Sequence, residues 1–176
     1  VIKSLDLKKN DEILTTDHEY GAMDRTWSFI CKKTGAKYIQ QKIDLPLSSN
    51  KEFIQAFSNG LSNKTKVIFI SHITSPTALI FPVKEICKIA RKKNIMCIVD
   101  GAHAPAQIEL NIKDIDPDVY VGACHKWMCS PKGVSFLYVK KNIQPMIEPL
   151  VVSLGYESDY PGKSQFIDYH QWQGTR

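Results

Sequence analysis

The chain has 176 residues, 43% hydrophobic and 23% charged, which is the size and balance of one ordinary globular domain. Its net charge of +5 comes largely from lysine pairs (Lys8-Lys9, Lys32-Lys33, Lys92-Lys93, Lys140-Lys141) with no basic stripe interleaved with aromatics, which speaks against nucleic-acid binding. No apolar run approaches the roughly 18 residues of a membrane helix, and five cysteines without a CxxC pair point to free thiols in a reducing, cytoplasmic setting rather than to disulfides or a zinc site.

Two kinds of segment alternate along the chain. Glu12–Thr16 reads as a first strand, apolar and β-branched. His18–Lys33 follows with Met23, Trp27, Ile30 and Cys31 on one helical face, Thr16 and Glu19 at capping-box spacing, and Gly35 ending the run. Lys37–Ile43 is the second strand. Asn50–Asn59 forms a helix with the stripe Phe53, Ile54 and Phe57, a second capping box at Ser49 and Glu52, and Gly60 behind it. Lys66–Ser71 is the third strand. Phe81–Lys93 repeats the helical pattern with Val83, Ile86, Cys87 and Ala90. Ile95–Asp100 and Val119–Ala123 are the fourth and fifth strands. Val134–Val139 is the sixth, and it follows after a link too short for a crossover helix, so an antiparallel course suits it. Beyond Lys141 the pattern dissolves among prolines and glycines. The fold expected is α/β, a mainly parallel sheet with helices on both faces, with a core over residues 1–141 and a long loop region over 142–176. Val1 and the tail at Arg176 read as cuts through a longer chain.

Ligands in open α/β sheets bind beyond the carboxyl ends of the strands. The first strand runs into Asp17 and His18, the third into Ser71, His72, Thr74 and Ser75, the fourth into Asp100 and His103, the fifth into His125 and Lys126. A lysine for a Schiff base and a carboxylate for a pyridinium nitrogen are what pyridoxal phosphate (PLP) needs. Lys126 fits the first role and Asp100 the second. His103 suits the phenolic oxygen, His125 the phosphate. Each residue has a plainer reading: Asp100 as a turn residue, Lys126 as a surface amine, Trp127 as packing. No spacing offers a convincing third or fourth metal ligand. No GxGxxG follows a strand, so a nicotinamide enzyme is remote.

The run Val99-Asp100-Gly101-Ala102-His103-Ala104-Pro105-Ala106, with Gly122-Ala123-Cys124-His125-Lys126-Trp127 and Pro131-Lys132-Gly133, resembles the cofactor core of class V aminotransferases. Thr16–Ala22, Ser71–Thr77 and Trp172–Arg176 resemble the isopenicillin N epimerase-like branch of that group, which also holds the cysteine desulfurases. The resemblance implies the large domain of a fold-type I PLP enzyme, incomplete here, leading toward a C-terminal domain. It implies Lys126 as the Schiff-base lysine, Asp100 as the pyridinium partner, and His103 near the phenolic oxygen. His125 would contact the phosphate, with Thr74 also among the cofactor-binding residues. A ring-stacking role falls near His18, with Tyr20 the alternative. Thr175 would reach the cofactor of the neighbouring subunit in a homodimer. The substrate implied is an amino acid or amine, and the chemistry is epimerisation, transamination or C–S lyase or desulfurase action. Ala123 departs from the pattern, since desulfurases carry a phosphate-binding serine there. That departure keeps a second expectation open, a catalytically degenerate α/β binding module.

Overall fold

A computed structural model describes residues 1–159, 162 and 164–171. They divide into two compact units, one of Leu7–Tyr138 and one built from Val1–Asp6 with the chain from Val139 onward.

The larger unit carries the sheet. Its strands are β1 (Glu12–Thr16), β2 (Lys37–Gln41), β3 (Thr65–Ser71), β4 (Met96–Asp100), β5 (Val119–Ala123) and β6 (Ser135–Val139), the last ending at the boundary of the other unit. Helices α1 (Gly21–Thr34), α2 (Asn50–Ser58) and α3 (Val83–Lys92) lie between β1 and β4, and a single turn, α4 (Ile112–Ile115), precedes β5. The strand order is β2-β1-β3-β4-β5-β6, and β1 through β5 pair in parallel. The Cys124 N–H donates to the Val134 carbonyl, joining the end of β5 to the start of β6 as a short antiparallel return would. The expected mainly parallel sheet is thus the observed one.

Alternation along β3 shows why the sheet is covered twice. Ile68 and Ile70 enter the core cluster with Phe53 and Phe57 of α2 and Ile86 of α3. Phe69 points the other way, edge-on to Trp27 of α1 at 5.6 Å between ring centroids. All three β3 residues are at most 2% exposed, and Trp27 is fully buried. A strand dry on both faces reads as an unbroken apolar run.

The two capping boxes behave differently from their spacing. At α2 the Ser49 hydroxyl accepts the Glu52 N–H as expected, but the Glu52 carboxylate accepts from the Ser48 N–H. At α1 the helix starts later, with Tyr20 as N-cap, and Glu19 turns into the protein instead of capping. Gly35 ends α1 with φ 77°, a left-handed conformation that glycine adopts without steric cost.

In the smaller unit, the segment expected as a loop carries a 3-10 turn (Gln144–Met146) and helix α5 (Gln165–Gln171). Gly162 N–H donates to the Asp168 carboxylate, a side-chain link that local periodicity does not disclose. No helix among the described residues is long and apolar enough to cross a membrane.

Candidate active site

The strand order reverses between β1 and β3: the chain leaves β1 outward to β2, then returns to β1's other side. Such a switch point opens a crevice at the carboxyl ends of the strands. Four strand ends deliver the groups around it.

Lys126, three residues past β5, and His103, three past β4, meet with Nζ and Nε2 2.9 Å apart. Burial and the Lys126 charge lower the His103 pKa, while Asp100 pulls it upward. His103 thus stands within the fields of both. Asp100 closes β4, and its Oδ1 accepts the Ala102 N–H at 3.0 Å. Across the Lys126 amine lies the Tyr20 ring, 5.8 Å from Nζ to centroid. Tyr20 is half-exposed.

Beneath this rim runs a buried polar layer. Glu19 is 5% exposed. Its Oε1 accepts the Thr16 hydroxyl at 2.7 Å, and its Oε2 accepts the Ser71 N–H at 3.0 Å and the Ser71 hydroxyl at 2.5 Å. Burial, aided by the negative charge of Asp100 and opposed by these hydrogen bonds, raises its pKa to about 7. Ser71 is the register partner of Asp100. Glu19 therefore ties the end of β1 to the strand beside Asp100, across the switch point. On β5, the Tyr120 hydroxyl meets His72 Nδ1 at 2.9 Å, and burial holds the His72 pKa down to about 4. A neutral imidazole next to a phenol is what a dry layer tolerates. Gly101 makes room for it: a Cβ there would stand 2.1 Å from the Tyr120 ring.

The other expected residues are placed as follows. His18 Nε2 donates to the Ile43 carbonyl at 2.9 Å, and its ring meets Phe81 edge-on. It thereby secures the loop after β2, and the ring beside Lys126 is that of Tyr20. The Thr74 hydroxyl accepts the Leu79 N–H and pairs with Thr77 Oγ1 at 2.7 Å, closing the turn after β3. His125 precedes Lys126 on the exposed rim, with Nδ1 3.2 Å from the Val134 carbonyl. Thr175 lies outside the described residues. Among the described residues no cluster of His, Cys, Asp and Glu could hold a metal ion. A cavity of about 580 Å³ lies in the smaller unit, lined by residues such as Ile147, Tyr156, Phe166 and Tyr169, and contains none of the expected site residues.

Residues 1–163 match the family model described as aminotransferase class-V. The chain belongs to the class-V aminotransferase family. Within it, this member is 36% identical over 157 residues to isopenicillin N epimerase of Streptomyces clavuligerus, covering 89% of this chain and 39% of that protein. It is 28% identical over 177 residues to an L-cysteine desulfhydrase of Arabidopsis thaliana, covering 96% and 38%. Its fold matches the solved complex of the cystine C–S lyase C-DES with cysteine persulfide at a TM-score of 0.80 and 25% identity, covering 99% of this chain and 53% of that one. The class-V chain thus spans about two-fifths of the length of these curated relatives.

Two features of this family member are not evident from its sequence. Glu19 has the spacing of a cap, and only its position just past the buried run Ile13–Thr16 hints at an inward course. Trp127 reads as packing, yet it is 51% exposed and its indole N–H donates to His103 Nδ1 at 3.1 Å. Its place directly after Lys126 is the available signal.

Proposed function

We propose that the protein of which this chain is part is a PLP-dependent enzyme acting on an amino acid, with epimerase-like or C–S lyase chemistry, and that Lys126 holds the cofactor covalently. The observation that supports it best is the meeting of Lys126, His103 and the Tyr20 ring at the switch-point crevice, with Asp100 close enough to act on His103. The residues present fit the group. Lys126 supplies an amine on the rim, Asp100 a carboxylate held in place by a backbone N–H, Tyr20 a half-exposed aromatic ring, and His103 a ring nitrogen beside the amine. His125 stands at the same strand end for a phosphate, where Ala123 contributes only a methyl.

When bound, PLP supplies an electron sink for breaking a bond at an amino acid's α-carbon. Asp100 would keep a proton on the ring nitrogen of that sink, and Tyr20 would shield one face from water. Lys126, once released by the incoming amine, would move a proton at the α-carbon. The relatives named for an epimerase and for a desulfhydrase support an amino-acid substrate. A homodimer and a cytoplasmic setting belong to the same reading.

Borohydride reduction of the full-length protein with PLP tests it. The label is expected on Lys126, and Lys126→Ala is expected to lose both the label and the visible absorbance. A label on Lys132 would defeat the Lys126 assignment, and no label at all would favour the degenerate binding module that Ala123 keeps in view.

A further inference from the structure

Neutral imidazole has one N–H and one lone pair, and at His103 both are spoken for. The Trp127 indole nitrogen, a donor only, places its hydrogen on Nδ1 at 3.1 Å. Nδ1 must therefore be the accepting nitrogen, and the ring's own proton sits on Nε2. That nitrogen faces Lys126 Nζ at 2.9 Å. An ammonium has three hydrogens and nothing to accept with, so an ammonium at Lys126 would set donor against donor. The set is consistent in one arrangement: indole N–H to Nδ1, and Nε2–H to the lone pair of a neutral amine.

We infer that Trp127 is a positioning residue whose indole N–H fixes the His103 tautomer, so that Nε2–H faces the Lys126 amine and favours its lone-pair-bearing, nucleophilic form. This rests on the proposed role of Lys126 and adds to it the device that readies the amine. An imidazolium at His103 would forfeit the Trp127 bond, and burial disfavours it, against the pull of Asp100. Trp127 is half-exposed, so packing does not account for its orientation. Its ring lies 6.3 Å from that of His103 between centroids, tilted by 54°, which is not a stacked contact either. The hydrogen bond is what aligns the pair.

The tautomer is directly measurable. Full-length protein carrying nitrogen-15 histidine, freed of PLP, is examined by long-range nitrogen–proton correlation above the His103 titration. His103→Asn removes one ring signal and so assigns the resonance. Nδ1 is expected as the bare nitrogen and Nε2 as the protonated one. In Trp127→Phe the ring is expected to become a mixture of both tautomers. Attachment of PLP to Lys126 should then slow about fivefold, the worth of one hydrogen bond of ordinary net strength. A wild-type ring protonated on Nδ1, or a tautomer unchanged in Trp127→Phe, overturns the inference. The expected tautomer in a protein that never attaches PLP at Lys126 supports the Trp127 lock and overturns instead the function proposed for Lys126.

Discussion

Glutamine in place of Glu19 separates the charge of the buried group from its shape. The Glu19 carboxyl is 5% exposed, and its pKa is raised from the ordinary 4.5 to about 7, chiefly by burial. Between those two values the folded protein holds a proton that the unfolded chain has released. Stability therefore falls as pH rises through this window. The favourable contribution is complete below about 4.5 and gone above about 7. At about 1.4 kcal/mol per pH unit, the ionised carboxylate costs the fold about 3 kcal/mol at pH 8. The substituted amide carries no charge at any pH. Its oxygen can still accept from Ser71, and the Thr16 hydroxyl can turn to accept from its nitrogen. Urea denaturation followed by tryptophan fluorescence, repeated from pH 4.5 to 8.5, measures the difference between the two proteins. Glu19→Gln is expected to gain on the parent steadily across the window, by about 3 kcal/mol in all. A difference that stays constant with pH would refute the reasoning, because the buried group would then not titrate between its folded and unfolded values.

Two further outcomes are expected around the same crevice. Gly101→Ala drives a Cβ into the Tyr120 ring, so it should cost at least about 1–3 kcal/mol as overpacking, read as a lowered melting temperature; an unchanged melt would mean the strand end yields freely. Asp100→Asn can keep the Ala102 hydrogen bond through its remaining oxygen, so the fold should stand while turnover of the full-length enzyme drops about a hundredfold for want of the negative charge; a rate within a few-fold of the parent would remove Asp100 from the proposed role.

What the sequence disclosed follows the range of the forces involved. β3 announced itself because Val67–Ile70 is buried on both faces and so wholly apolar, and Trp27 showed its side through helical spacing. The site residues Lys126, Asp100 and His103 could be placed at strand ends by the same logic. Their partners could not. The Thr16–Glu19 spacing satisfies a local rule and the two side chains do bond, yet the other Glu19 oxygen goes to Ser71, 52 residues away, because β1 and β3 are neighbours in the sheet. His18 and Thr74 looked available from their positions, but each is engaged with a loop whose course no periodicity describes. The short helix α4 was missed for a related reason: one turn capped by Asn111 is too brief to show a repeat.

The order of the strands also bears on how the protein comes into being. Tyr20, Ser71, Asp100 and Lys126 hang from four strands joined only through successive parallel crossovers, so no hairpin or helix pair can assemble any part of the crevice by itself. Parallel pairing is non-local and kinetically slow, because loop-closure entropy is lost before the contacts form. A nascent chain that has made β1 to β4 still lacks its lysine, and one with a misplaced β5 has the lysine in the wrong place. Capture of a ligand at Lys126 would thus mark the docking of β5 beside β4, and ligand added during refolding would draw chains toward that arrangement by mass action.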